Sequence, residues 1–185
     1  MTGVGHLTID ELQAGLNEIL RSPKEAGILQ LIVRRPRVDE RELLEEAQLH
    51  PVEGLVGDNW RVRGSSQTED GSAHPEMQLT IMNVRVIALL AQVRDRWPLA
   101  GDQLFIDMDL SSVNLPSGTR LALGSAVIVV TDQPHTGCSK FAARFGRDAL
   151  KFISSPAGRK LNMRGVNAKV VEGGAIRIGD VAKKI

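Results

Sequence analysis

The 185-residue sequence is long enough for one domain with a substantial core and short for two. Hydrophobic residues make up 42% of the chain and charged residues 24%, proportions typical of a folded protein rather than a disordered one. The 23 basic and 22 acidic residues give a formal net charge of +1. This balance argues against non-specific binding of nucleic acid, which requires a strong basic excess.

The lengths of the apolar runs and the number of cysteines indicate the cellular compartment. Runs such as residues 127–130 are too short to span a bilayer, and residues 1–5 lack the basic-then-apolar order of a signal peptide. One cysteine excludes an internal disulfide and a zinc site made of several thiolates. We therefore expect a cytoplasmic protein that does not bind membranes.

The first fifty residues predict a helix followed by one or two strands. Apolar residues recur at helical spacing over residues 9–20, and Thr8 with Glu11 has the pattern of a capping box. Residues 28–34 are strongly apolar and predict a strand that ends before a proline. Residues 41–49 suit either a helix or a second strand.

The middle of the chain combines a polar loop, a buried helix and short strands. Residues 54–75 are rich in Gly, Ser and Asp, which favours a functional or mobile loop. Residues 84–93 are apolar around most of a helical surface and predict a buried helix. Residues 104–107 predict a strand, and residues 119–123 and 126–131 predict a hairpin around a Gly-Ser turn.

The last third alternates short helices with β segments. Residues 139–145 and 148–153 predict helices, and residues 165–171 and 175–178, separated by a glycine pair, predict a second hairpin. Many short strands with glycine turns and few helices indicate a mainly β protein with peripheral helices (α+β), either a barrel or a sandwich.

The segment around Cys138 carries the strongest chemical signal. It leaves an apolar strand and enters a predicted helix directly after Cys138, where unpaired backbone N–H groups favour a thiolate. His135 and Lys140 are close enough in sequence to favour the thiolate further, and His135 could act as a general base or as a second metal ligand. Cys138 and His135 are therefore the candidate catalytic residues, with Cys138 also a candidate ligand for a soft metal. The alternative is that Cys138 is a small buried hydrophobe.

Polar residues elsewhere are candidates for binding. Gly57 and Asp58 lie in a turn that permits close backbone approach or ligand contact, although a solvated turn explains them equally well. Gln78 and Asn83 precede the buried helix, so they either cap it or line a pocket. Arg164, next to a glycine, is suited to an anion.

These features, in this order, resemble the MOSC domain, named for the C-terminal domain of molybdenum cofactor sulfurases. The resemblance implies a closed MOSC-type β-barrel over residues 51–185, with residues 1–50 as an extension that packs on the same domain. It also implies that Cys138 stands at the family cysteine, which carries sulfur or ligates molybdenum, although Gly137 replaces a proline common in relatives. The segments that carry it are residues 54–58, 78–90, 101–104, 118–124, 129–138, 164–165 and 174–180.

The resemblance leads to two functional hypotheses. In the first, the chain binds a molybdenum–pterin cofactor through Cys138, with His135, Lys140 and Arg164 holding anionic groups, and supports sulfur or oxygen-atom transfer. In the second, it is a non-catalytic sulfur carrier or binding module that meets a cysteine desulfurase or a redox partner protein. The pyridoxal-phosphate domain of the full sulfurases is missing from this sequence, so we expect no pyridoxal phosphate on this chain.

Overall fold

The computed structural model describes residues 4–185, and eleven strands and seven α-helices lie within them. The strands are β1 (Ala26–Arg34), β2 (Glu42–Leu44), β3 (Glu46–His50), β4 (Gly54–Leu55), β5 (Leu79–Asn83), β6 (Leu104–Asp107), β7 (Arg120–Leu123), β8 (Ala126–Val130), β9 (Val166–Glu172), β10 (Gly174–Arg177) and β11 (Val181–Lys184). The α-helices are α1 (Ile9–Ala14), α2 (Leu16–Leu20), α3 (Trp60–Arg63), α4 (Val84–Ala91), α5 (Ser139–Phe145), α6 (Arg147–Ser154) and α7 (Pro156–Lys160). Two 3₁₀ helices cover Pro75–Met77 and Arg94–Ala100.

Seven of these strands close into a mixed barrel, which confirms the predicted fold class. Around the ring the order is β1, β11, β7, β8, β9, β5 and β6, and β6 pairs back onto β1. Only β5 and β6 run parallel, and α4 lies in the connection between them, as a parallel crossover requires. A smaller sheet of β10, β3 and β4 lies outside the ring.

The core has two parts because both faces of the barrel wall are covered. Side chains alternate along a strand, so Leu104 of β6 lies in the cluster inside the barrel while the neighbouring Phe105 lies in the cluster outside it. The inner cluster is aliphatic, and the outer one includes the aromatic residues Phe141 and Phe145 of α5. The peripheral helices thus complete the core.

The N-terminal helix prediction is correct in its start and wrong in its continuity. The capping box of Thr8 and Glu11 is present at the beginning of α1. The helix is interrupted at Gly15, where a Cβ atom would approach Leu89 to 2.6 Å. A glycine therefore permits close packing against α4 while weakening the helix at that residue.

The region of residues 26–50 forms three strands, with a loop over residues 35–41 between the first and the second. Residues 41–49, which suited either a helix or a strand, form β2 and β3. β1 lies in the barrel wall between β6 and β11. The division between residues 1–50 and 51–185 stays a prediction. The expectation that residues 1–5 are not a signal peptide rests partly on residues 1–3, which lie outside the described residues.

The first predicted hairpin is confirmed and the second is wrong. β7 and β8 pair antiparallel across Gly124-Ser125. β9 and β10 are both strands, but β9 pairs with β5 and β8, whereas β10 pairs with β3. Both edges of β9 are already occupied within the barrel, so β10 must find its partner elsewhere.

Candidate functional site

A cavity of about 340 Å³ opens beside the barrel. Its wall is built from the chain that follows β1, from α3, from Thr80 of β5 and Asn167 of β9, and from the segment that leads into α5. Thr80 and Asn167 are cross-strand partners. We call this cavity the arginine cleft, after the seven basic side chains that line it: Arg35, Arg37, Arg41, Arg63, Lys140, Arg144 and Arg164.

The lining of the arginine cleft has an excess of basic side chains although the chain is nearly neutral. Asp39 is the one acidic residue that lines it among residues 4–185. Fixed charges of one sign in a cleft concentrate counter-ions of the opposite sign. The cleft is therefore suited to an anionic ligand, which the net charge of the chain alone did not indicate.

Arg35 and Asp58 form a buried clamp behind the cleft. The Nε and Nη2 atoms of Arg35 donate to the two carboxylate oxygens of Asp58 at 2.9 and 2.8 Å, and Arg35 Nη1 donates to the carbonyl oxygen of Gly101. Asp58 also accepts the backbone N–H groups of Arg35 and Trp60. Its oxygens are fully engaged within the protein, so Asp58 fixes the start of α3 beside the cleft.

Arg41 and Arg63 have donor groups to spare. Arg63 makes no side-chain hydrogen bond or ion pair with any residue in the range 4–185. Burial, followed by the nearby Arg35, lowers the pKa of Arg63. Burial also lowers the pKa of Arg41, with smaller contributions from Arg144 and Arg35. Like charges held this close are relieved by a bound anion.

Cys138 lies on the lining of the arginine cleft with its thiol exposed. It is the N-cap residue of α5, its carbonyl oxygen accepts the N–H of Ala142 at 3.1 Å, and its side chain makes no capping bond. Lys140 also lines the cleft and lies 3.8 Å from Asp39. The sulfur is therefore reachable from the cleft and is not a buried packing group.

His135, Asp102 and Arg164 form a second buried group at the cleft. Asp102 Oδ2 accepts Arg164 Nη1 at 2.7 Å, and Asp102 Oδ1 lies 3.5 Å from His135 Nδ1. Burial lowers the pKa of His135 well below its ordinary value, and the charges of Arg164 and Arg35 add to this. Burial raises the pKa of Asp102, although Arg164 opposes the shift.

Several polar atoms around the cleft are sealed from solvent without a hydrogen-bond partner in the described chain. Most buried polar atoms in proteins are satisfied, so a group of exceptions at one place indicates missing partners or function. Two cleft asparagines are among them, each through its Oδ1 atom. The atoms are Asn59 Oδ1, Asp102 Oδ1, His135 Nδ1, Arg164 Nε and Asn167 Oδ1.

Four of the six binding residues predicted from the sequence lie away from the cleft lining, and one of them is Asp58, which is paired with Arg35. Gln78 donates to the carbonyl oxygen of Pro51 and accepts the N–H of Val170. Asn83 caps α4 and donates to Ser22 and to the carbonyl of Met108. Gly57 has φ +82° and borders a separate cavity. Their contacts are with the protein itself.

Four residues that the sequence singled out line the arginine cleft together: Cys138, His135, Lys140 and Arg164. Sequence reasoning did not anticipate the arginines of the loop that follows β1, nor the role of Asp102. The basic run of residues 34–37 was the available signal. Within residues 4–185, no three His, Cys, Asp or Glu side chains are grouped as a metal site.

Comparisons with known proteins give a fold but no sequence family. No family model matches the chain, and no curated protein does. The chain resembles the YuaD protein from Bacillus subtilis, with 17% identity and a TM-score of 0.60 over 85% of this chain and 96% of that one. It also resembles YiiM from Escherichia coli, with 17% identity and a TM-score of 0.54 over 85% of this chain and 69% of that one.

Both solved proteins are stand-alone MOSC-domain proteins. The chain has the MOSC fold. YiiM from Geobacillus stearothermophilus supports this at 14% identity and a TM-score of 0.53, over 86% of this chain and 73% of that one. The MOSC fold agrees with the barrel expected from the ordered motifs. No helix within residues 4–185 combines the length and apolar character needed to cross a membrane.

Proposed function

We propose that the arginine cleft of this MOSC-fold chain binds an anionic pterin–molybdenum cofactor, with Cys138 as the thiolate ligand of the metal. The observation that carries the proposal is the composition of the cleft. Among residues 4–185, seven basic side chains and one acidic side chain line the cleft, and the exposed Cys138 lies on the same lining.

The guanidinium groups suit the phosphate of such a cofactor. A guanidinium offers paired N–H donors that match phosphate oxygens, and charge-assisted hydrogen bonds are stronger than neutral ones. Arg63 has no competing partner among the described residues. Arg144 donates to the carbonyl of Leu99 and approaches Asp39 at 3.5 Å, so part of its charge is already balanced. Arg63 and Arg41 are therefore the residues we assign to the phosphate.

The thiol suits a metal that arrives with its other ligands. The described residues offer no group of three His, Cys, Asp or Glu side chains, so this chain would hold a metal through one side chain. A thiolate is a soft ligand appropriate to such a metal, and a pterin-borne metal already has ligands from the organic part. When bound, the group supplies oxygen-atom transfer chemistry, such as reduction of N-hydroxylated compounds.

The remaining cleft residues would orient the ligand through charge balance and hydrogen bonding. Lys140 would balance negative charge beside the thiolate, since it lies on the same lining two residues away. His135 is neutral at physiological pH because its pKa is lowered, so its unprotonated nitrogen can accept a hydrogen bond from the ligand. Arg164 is largely neutralised by Asp102 and would hold an anion less strongly than Arg63.

A second candidate function is favoured by the exposure of Cys138. A sulfur carrier must present its thiol to a partner protein, and this thiol is exposed rather than enclosed. In this function Cys138 would receive sulfur from a cysteine desulfurase as a persulfide and pass it to an acceptor. The cleft would then bind the anionic acceptor and no cofactor of its own.

The proposed function is tested by the molybdenum content of the purified protein. The wild type, Cys138→Ser and Arg63→Gln are expressed in molybdate-supplemented cells and analysed by elemental mass spectrometry. Ser139→Ala is the matched control, because Ser139 is next to Cys138 but does not line the cleft. We expect molybdenum in the wild type and the control, and a loss of most of it in both other variants. Absence of molybdenum from the wild type, or equal content in Cys138→Ser, would contradict the cofactor function.

The intact mass of the protein distinguishes the sulfur-carrier function from the cofactor-binding function. Wild-type protein and Cys138→Ser are incubated with a cysteine desulfurase and cysteine, and their masses are measured without reductant. The carrier function predicts a gain of one sulfur atom on the wild type alone. If neither protein gains sulfur, the carrier function is wrong.

A further inference from the structure

His135 is held at the cleft by contacts on several sides. Its side chain is 13% exposed, and its Nδ1 atom is sealed from solvent. Its Nε2 atom makes no hydrogen bond with the described residues and is not among the sealed atoms without a partner. The ring also borders a second cavity of about 630 Å³, which shares His135, Thr136 and Arg164 with the arginine cleft. The ring thus has a closed Nδ1 side and an open Nε2 side.

The residues around the ring fix its position. Asn167 is completely buried, and its Nδ2 donates to the carbonyl oxygens of Gln133 at 3.1 Å and Pro134 at 3.4 Å, which anchors the chain just before His135. Gly165 has φ +104°, and a Cβ atom there would lie 3.2 Å from His135 Nδ1. The glycine leaves room for the ring.

Asp102 faces the closed side of the ring. Its side chain has no exposed surface, and Arg164 occupies one of its oxygens at 2.7 Å. The other oxygen, Oδ1, lies 3.5 Å from His135 Nδ1, and neither of these two atoms makes a hydrogen bond with any residue in the range 4–185. A carboxylate only accepts hydrogen bonds, so the complementary state of Nδ1 is protonated. The nearby Arg164 and Arg35 disfavour a second proton on the ring.

We infer that Asp102 is a positioning residue that fixes His135 as the Nδ1–H tautomer, which leaves Nε2 as a bare acceptor for a ligand group carrying N–H or O–H. The inference deepens the proposed function. The arginines would hold the anionic end of the ligand, and His135 would recognise a neutral donor group at the other end.

The tautomer is read directly by long-range ¹H–¹⁵N correlation spectra of the imidazole rings. The chain has four histidines, and His135→Gln assigns the His135 signals by their loss. In the wild type we expect a protonated Nδ1 and a bare Nε2. An Nε2–H tautomer, or a doubly protonated ring at neutral pH, would overturn the inference. This measurement needs no ligand and no variant at position 102.

Asp102→Asn tests the positioning role. An amide can donate to Nδ1, so we expect the proton to move to Nε2 while circular dichroism shows the fold intact. A folded Asp102→Asn protein with the wild-type tautomer would show that Asp102 does not select it. If the variant does not fold, the wild-type tautomer and the probe experiment decide.

Two probes test the class of ligand group. Methylurea has N–H donors, whereas tetramethylurea has none. We expect methylurea to shift the His135 Nε2 resonance of the wild type and tetramethylurea to leave it unchanged. An equal response, or none with either probe, would overturn the assignment. Inorganic phosphate binding measured by calorimetry reports the arginines separately, so failure of the proposed function is distinguishable from failure of this inference.

Discussion

The carboxylate of Asp102 and the imidazole of His135 face each other at 3.5 Å, and neither of the two facing atoms makes a hydrogen bond within residues 4–185. Asp102 stands just before β6, and His135 stands in the segment before α5, so the pair joins the barrel to the chain that carries Cys138. Arg164, which binds the other oxygen of Asp102, also stacks over Phe141 of α5, with its Cζ atom 5.1 Å from the ring centroid. The segment from His135 to Phe141, which contains Cys138, is therefore contacted at both of its ends.

The pH dependence of stability should reveal His135. Its pKa is lowered in the folded protein, so below the ordinary value of about 6.5 the unfolded chain binds more protons. The free energy of unfolding should therefore fall as the pH decreases from about 6.5, by at most about 1.4 kcal/mol per pH unit for this one group. Above that range the contribution should be constant.

His135→Gln removes this contribution while retaining the charged groups that face the ring, namely Asp102, Arg164 and Arg35. Urea unfolding of both proteins between about pH 5 and pH 7.5 gives the comparison. The wild-type curve should fall more steeply towards acid than the variant curve. Parallel curves would show that His135 takes up protons equally well in the folded and unfolded chains.

Arg63→Gln should weaken binding of inorganic phosphate by about tenfold or more, because a charge-assisted hydrogen bond contributes about 1.5–3 kcal/mol. Arg63 has no partner in the described structure, so its loss should leave the stability within about 0.5 kcal/mol of the wild type. Isothermal titration calorimetry at low salt measures the affinity. Arg61→Gln is the control, since Arg61 is two residues away on α3 and does not line the cleft. Equal losses in both variants would indicate a general charge effect.

Asp58→Asn should be strongly destabilising. The change removes one partner of the Arg35–Asp58 ion pair, in which the side chains are 9% and 0% exposed. The buried charge of Arg35 is then uncompensated, which should lower the free energy of unfolding by about 3–5 kcal/mol. Glu42→Gln breaks the exposed pair with Arg34, whose side chains are 35% and 45% exposed, and should cost less than about 1 kcal/mol. Chemical unfolding of both variants measures the difference. Similar costs would refute the structural role assigned to Asp58.

Gly165→Ala and Gly179→Ala separate steric fit from backbone strain. The two glycines have similar φ angles of +104° and +96°, and an alanine at either position adopts a left-handed conformation at about 1–2 kcal/mol. A Cβ atom at Gly165 would also clash with the carbonyl oxygen of Ile81, whereas Gly179 has nothing within 4 Å. Gly165→Ala should therefore be less stable than Gly179→Ala by about 1–3 kcal/mol or more in thermal unfolding. Equal stabilities would mean that the space beside Ile81 and His135 is not limiting.

Iodoacetamide should modify Cys138 fully in the native protein. The thiol is exposed and lies beside a positively charged cleft, so unfolding with urea should add no further label. Intact mass before and after unfolding measures the extent of labelling, and Cys138→Ser should remain unlabelled throughout. Labelling that appears only after unfolding would mean that the thiol is enclosed in solution.

Elements with local signals could be predicted because their causes lie within a few residues. Residues 104–107 form β6 as predicted, and the capping box of Thr8 and Glu11 starts α1. The hairpin of β7 and β8 follows from a short turn between two apolar runs. The pairing of β10 with β3 joins residues about 130 apart in sequence, and no local pattern specifies which distant strand is accepted.

The sequence by itself determined the β-rich architecture, the place of the lone thiol between a strand and a helix, and the ordered motifs that resemble the MOSC domain. Only the tertiary structure decided the charge of the site, because Arg35, Arg63 and Arg144 come from separate elements that barrel closure brings to one cleft. It also decided that Asp58 and Asn83 hold the frame, since their hydrogen bonds are made to residues far along the chain. The type of a side chain indicates what it can bind, whereas its packing in the folded protein decides whether its polar atoms are free to bind a ligand.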